Sequence, residues 1–490
     1  MVARPIAVEG SAPPLSWRLT PACAVQAQGL IVSPFSHLEA GLALFLTLPV
    51  GAGGAWLKTL LAAVAITDAT GKTSPCAAIA FTCPGLAAMG LDQAALATFS
   101  DPFTEGMLQE DRRRRLGDED SLVIPGGPLW SGGAAPTTVH AALLLYAEDA
   151  AQIATLRAAA RTALDAHHVA APREIDLSLR FINGVAREHF GFADGISQPV
   201  PFGTEIQAPD GTPLAQDPWH GIHAGDILFG HINAHGELAP GPLVKLAPGQ
   251  ASTLPDDNAP EGFGDLGLNG SYLVIRELRQ DVALFWNSMD AAAKALGDPA
   301  IDATGLAQRA VGRTLNGDPL SPGAPLPPQD GQPSNSFGYL ARDSHGFGCP
   351  IGSHIRRANP RDGLAPWPES AQPMLQAANN HRILRRGRKF GRSIANPRVA
   401  DGQDRGLLFM ALNTDLERQF EFVQQNWILN QTFAVLYDET DPIVGPRGPF
   451  TIPATPLRRR AKVETYIQLV GGEYFFLPSL PALDYLASLP

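Results

Sequence analysis

Apolar positions recur along the chain at two spacings, and the alternation between them predicts a mixture of strands and helices. His140–Ala147 is a compact apolar run around Leu143, Leu144 and Leu145, which predicts a buried strand. Ala151–His167 places Ile153, Leu156, Ala160 and Leu164 on one face at spacings of three and four, which predicts an amphipathic helix. Strand character returns at Leu177–Ile182, and the runs Thr432–Tyr437 and Glu473–Leu477 predict two more strands. Helices are predicted over Asp281–Leu296 and Asp415–Trp427. No charge occurs from Ala40 to Leu57, but Pro49, Gly51, Gly53 and Gly54 divide that segment. It therefore reads as a strand, a turn and a helix start in a core, not as a membrane span. Ala239–Gly264 and Asn316–Pro333, rich in Pro and Gly, read as long loops.

Composition narrows the class. A chain of 490 residues suggests about two or three domains. With 45% hydrophobic and 17% charged residues it can bury large cores. A net charge of −11 argues against nucleic acid as the main partner, since phosphate binding needs a basic face. The basic runs Arg112–Arg115, Arg385–Arg392 and Arg458–Lys462 read in the first instance as solvated surface. Cys23, Cys76, Cys83 and Cys349 lack the close pairing of a disulfide framework or zinc site, so a reducing compartment is expected. Met1–Gly10 has no apolar stretch after a basic region, so no secretion signal is expected and a cytoplasmic location is.

Three segments could carry chemistry. In Gly191-Phe192-Ala193-Asp194-Gly195, two glycines around an aspartate allow a tight turn that presents a short, stiff carboxylate. Cys349 to Arg361 holds one histidine, His354, between Pro350 and Pro360 in a stretch dense with arginine. A haem iron takes a single axial histidine, and its propionates need cations nearby. In Arg382-Ile383-Leu384-Arg385-Arg386-Gly387-Arg388-Lys389-Phe390-Gly391, apolar flanks would draw a guanidinium toward a core, where it needs an anion. Taken singly, each segment reads as well as a turn, a surface loop or a solvated charge run. Four histidines, His220, His223, His231 and His235, suggest zinc, but their spacing fits no metal-site pattern.

Together these segments resemble the dye-decolorising peroxidase family, in its larger form, from roughly Gln26 to Phe476. The landmarks fall in family order: Gln28-Gly29, Phe81-Thr82, Glu105-Gly106-Met107, Leu116-Gly117-Asp118 and the Gly191–Gly195 motif. Leu268–Val274, the His354 segment, the Arg385 segment, Gly406–Phe409 and Gln419 to Trp427 follow.

The resemblance implies an α+β fold of two ferredoxin-like modules with antiparallel sheets, with haem mainly in the C-terminal one. The expected division is an N-terminal extension over 1–20, a first module over 21–180 and a second over 181–490. It implies one haem b per chain, with His354 as the axial ligand of the iron and Arg356 as a propionate partner. Asp194 and Arg385 would be the catalytic pair, and Asp441, rather than Asp415, would hold the His354 imidazole. The implied reaction reduces hydrogen peroxide and oxidises small aromatic donors by one-electron steps. A homo-oligomer is compatible with this, and neither nucleic acid nor membrane is an expected partner. The competing reading is a haem-handling protein with incidental peroxidase activity. Compact bacterial relatives carry Asn two positions after the distal arginine, where this chain has Gly387.

Overall fold

The computed structural model describes residues 19–71, 73–118, 138–179, 181–182, 184–202, 219–246, 253–255, 258–321, 335 and 337–490. The expected N-terminal extension thus lies almost wholly outside the described residues, as do Arg180 at the expected module boundary and 322–333 of the second expected loop.

The principal strands are β1 (Ala40–Thr47), β2 (Cys76–Phe81), β3 (Ala141–Ala147), β4 (Ala170–Ser178), β5 (Ser271–Gln280), β6 (Leu384–Arg385), β7 (Arg388–Phe390), β8 (Gly406–Asn413) and β9 (Ile467–Leu477). They form one sheet in the order β5-β9-β2-β3-β1-β4-β7-β8-β6, and β5 also pairs with β8. The sheet therefore closes on itself, through Phe476↔Phe81 on one side and Leu177↔Phe390 on the other. Closure leaves the long strands without a free edge.

Each half repeats one topology. In the first, β1, helix α1 (Ala55–Ala63), β2, β3, helix α2 (Ala150–Asp165) and β4 give the antiparallel order β2-β3-β1-β4. In the second, β5, helix α3 (Val282–Leu296), the β6/β7 strand, β8, a helical segment and β9 give the corresponding order. Both are ferredoxin-like. β6 and β7 keep one register against β8, Leu384↔Leu412 and Arg388↔Leu408, so they are one strand interrupted at 386–387.

Strand alternation then divides the core. Phe45, Leu144, Ile275, Leu384, Met410 and Phe475 point into the closed sheet, while Leu44, Leu143 and Leu145 pack outward with Trp56, Leu60, Ala160 and Leu164 of the helices. On the second half, the outward face carries Arg276, Leu278, Leu407, Phe409 and Leu469, and these line a cavity.

Two expected elements differ. Thr432–Tyr437 is a series of turns, with positive φ at Ala434 (54°) and Asp438 (59°). Phe433 and Leu436 are buried while Val435 and Tyr437 are exposed, a spacing of three that no strand provides. Asp415–Trp427 is helical but wound as π turns over Glu417–Glu421 and Val423–Ile428. Within Ala239–Gly264, Leu243–Lys245 pairs with Phe263–Asp265. None of the helices among the described residues is long and apolar enough to cross a membrane.

Candidate active site

The cavity has a volume of about 340 Å³. Its walls are mostly apolar, with Leu278, Val311, Ile383, Leu407, Phe409, Phe420, Ile443 and Leu469 among the lining side chains. Polar groups interrupt them: His354, Asp194, Glu188, Arg313, Arg361, Arg382 and Arg385 all reach the cavity. An apolar pocket with a few convergent charged groups is what a large amphipathic ligand requires.

His354 opens a short helix, α4 (His354–Ala358), with Ser353 anchored to the Arg309 carbonyl at 2.6 Å. Its Nδ1 lies 2.9 Å from Asp441 Oδ2. Asp441 is fully buried, and its other oxygen accepts the N–H groups of Ile443 (2.8 Å) and Val444 (3.0 Å). Burial pushes the Asp441 carboxyl up, but His354 and those two N–H groups outweigh it and hold the group below the usual carboxylate range. A carboxylate on Nδ1 fixes the ring and leaves Nε2 for the cavity. Asp415 takes no part; its side chain caps Arg418 N at 2.9 Å.

Arg356 is not where the sequence led us to expect it. Its guanidinium donates to the carbonyls of Asp343 (2.9 Å) and Cys349 (2.8 Å) and stacks over Tyr339 at 4.4 Å, away from the cavity wall. The reason is helical: residues two apart lie about 200° around the axis, so His354 and Arg356 cannot face the same way. Arg361, three residues past the helix, lines the cavity instead, with Arg313 and Arg382. Burial, then the neighbouring Arg361 charge, pushes Arg313 down to about 10. Burial and the Arg361 and Arg382 charges push His220 down to about 2. This end of the cavity is strongly electropositive, suited to carboxylates.

Asp194 sits in the loop between Gly191 (φ 102°) and Gly195 (φ 78°), backbone conformations that side-chain-bearing residues rarely adopt. Its N–H donates to Ala186 O at 2.8 Å, and its carboxylate accepts Gly195 N at 2.6 Å. Arg385 lies on the cavity face of its strand because Leu384 and Arg386 occupy the opposite face. It donates to Ile196 O at 2.6 Å, next to the Asp194 turn. Arg386 and Arg388, which read as surface in the sequence, are buried and spent on the carbonyls of Leu30, Leu38 and Phe35. At Gly387 a Cβ would come within 2.9 Å of Leu408 O, so the strand leaves no room for an asparagine there.

Sequence reasoning missed Arg313, Arg382, Glu188 and Gln280 as cavity residues. Arg361 and Arg382 carried a signal, as parts of the His354 and Arg385 segments. These features fit a haem: a histidine with a braced Nδ1 and an Nε2 that has no partner among the described residues, apolar walls for the macrocycle, and arginines for its carboxylates.

No family model matches the chain. The chain is 31% identical over 386 residues to the multifunctional dye peroxidase DyP2 of Amycolatopsis sp., covering 75% of each chain. A decolorizing peroxidase from Auricularia auricula-judae has a similar structure, with a TM-score of 0.74 and 22% identity, covering 95% of this chain and 100% of that one. A dye-decolorizing peroxidase in complex with 2,6-dimethoxyphenol gives a TM-score of 0.72 at 22% identity, covering 96% and 100%.

Proposed function

Because the chain belongs to the dye-decolorising peroxidase family, haem-dependent oxidoreductases that use peroxide, we propose that its cavity holds one haem b per chain and reduces hydrogen peroxide there. The observation that carries this reading is the His354–Asp441 pair at 2.9 Å, on the wall of a cavity that Asp194 and Arg385 also line. His354 Nε2 would hold the haem iron, and Asp441 would keep the imidazole oriented and electron-rich. Arg361 and its neighbours take the propionates in place of Arg356. The two ferredoxin-like modules divide near Arg180, the second carrying the haem.

When bound, the haem would supply the redox chemistry, passing two electrons to peroxide and recovering them one at a time from donors. Asp194 takes a proton from one peroxide oxygen and returns it to the other as water leaves, acting first as base and then as acid. Arg385 donates hydrogen bonds to the negative charge that develops as the O–O bond breaks. The apolar walls exclude water, which strengthens both interactions. Small aromatic donors such as phenols are the reducing substrates, by analogy with the dimethoxyphenol complex. A haem-handling protein would need neither Asp194 nor Arg385 at the cavity, and the relative from Amycolatopsis sp. named above is a peroxidase.

The test is an absorption spectrum of the haem-loaded protein before and after one equivalent of hydrogen peroxide. A prompt Soret shift that reverses on adding a phenol is expected. A Soret band indifferent to peroxide would leave haem binding without peroxidase chemistry, and no Soret band would remove the haem.

A further inference from the structure

Among the described residues the Asp194 carboxylate accepts a hydrogen bond only from the N–H of the next residue, so its position is set there by the backbone that carries it. That backbone is gathered around a second carboxylate. Glu188 Oε2 accepts the N–H of Phe190 at 2.7 Å, and Oε1 accepts that of Phe192 at 2.8 Å. The main chain of Glu188 closes the same turn from the other side, donating to Phe192 O at 3.1 Å and accepting Gly191 N at 3.1 Å. A third side-chain bond ties the turn to the sheet: Gln280 Nε2, at the end of β5, donates to Glu188 Oε2 at 2.9 Å. Beyond the turn, Ala193 N is fixed to Leu315 O at 3.0 Å, and Arg187 clamps the carbonyls of Gly191 and Leu315.

We propose that Glu188 is the positioning residue for the Asp194 acid/base, its two oxygens serving as the acceptors that fold residues 190–192 and so aim Asp194 into the peroxide cavity. The proposal rests on the acid/base reading of Asp194 given above. Three donors converge on the Glu188 carboxyl, two of them backbone groups that cannot turn away. An amide in its place would set an NH₂ group against one of those N–H groups and leave a buried donor unpaired. A carboxyl tolerates a change of protonation state here. Gln280 Oε1 is buried without a partner, so rotating that amide would offer an acceptor to a protonated Glu188. Burial pushes Glu188 up to about 7 despite the three donors, and the Asp194 charge adds to the rise.

The experiment compares Glu188→Gln, Glu188→Asp and Asp194→Asn with the unsubstituted protein, all haem-loaded. Two rates are followed: the Soret change with peroxide and the binding of cyanide. Hydrogen cyanide must give up its proton to bind as the anion, so this second rate reports the base without turnover. Glu188→Gln is expected to retain its haem and to slow both rates at least about tenfold, as small misplacements of catalytic groups do. Glu188→Asp, which keeps two acceptor oxygens, is expected to recover part of the loss. Unsubstituted rates in Glu188→Gln alongside slow rates in Asp194→Asn would overturn the role of Glu188. Unsubstituted rates in Asp194→Asn would instead overturn the acid/base reading beneath it. Should Glu188→Gln not fold, hydrogen exchange on the unsubstituted holoprotein decides. The Phe190 and Phe192 amides are expected to exchange slowly, and fast exchange at both overturns the proposal.

Discussion

His354 and Asp194 both line the cavity, yet they are held by opposite means. The His354 ring is fixed through its own side chain, by a fully buried carboxylate whose second oxygen is pinned by two N–H groups. Among the described residues the Asp194 side chain has one short local contact, and it is aimed by a loop tied down at nearly every peptide. A metal ligand gains from a partner that fixes its tautomer and raises its basicity. A proton-transfer group would be hindered by such a partner, because it must both accept and release a proton. Precision therefore comes from side chains on one wall and from backbone on the other.

Removing His354, the proposed ligand, should break the comparison most completely. We expect His354→Ala to lose nearly all bound haem after reconstitution and desalting, measured as Soret absorbance per chain; full loading would reassign the ligand. Asp194→Asn should keep its haem yet slow the peroxide-induced Soret change by about 10²–10⁴-fold. An unchanged rate there would pass the proton role to Arg385 or to water. For Arg385→Leu the expected loss is about 10²–10³-fold, again with haem retained. Weakened haem retention, with the haem that stays bound reacting at the unsubstituted rate, would make Arg385 a propionate partner. Asp441→Asn removes the brace and not the ligand, so haem affinity should fall by about 10–100-fold, read by haem transfer to an acceptor protein.

The smallest effect is on stability. Burial raises Glu188 and Glu473 from 4.5 to about 7, so the folded chain binds more protons than the unfolded chain between those values. The stability these groups confer is complete below the unfolded value and lost as pH rises through about 7. Asp441, held low, contributes in the opposite sense, and its share is lost only at acid pH. The melting temperature should therefore fall by a few degrees between about pH 5 and 7, and Glu473→Gln should flatten that slope. A melting temperature that rises over this range would contradict the raised values.

Much of this was legible before any coordinates. The strand at 141–147 follows from a continuous apolar run, buried on both faces, and the helix after it and the helix at 282–296 follow from spacing, because each buries one face. The order of motifs identified the family, and the His354, Asp194 and Arg385 segments converge on one cavity. Thr432–Tyr437 misled because local apolar content does not distinguish a strand from turns whose every third residue is buried.

What the chain's own residues determined, then, are the periods of its elements and the identity of its chemical groups, since both depend on neighbours in sequence. Which arginine meets the cavity was decided in three dimensions. A helical turn sends Arg356 away from His354, strand alternation sends Arg386 into the core and Arg385 to the cavity, and Arg313 arrives from a distant helix end. Guanidinium groups look alike in sequence, and only the packing of closed sheet and helices fixes which carbonyls or cavities they meet.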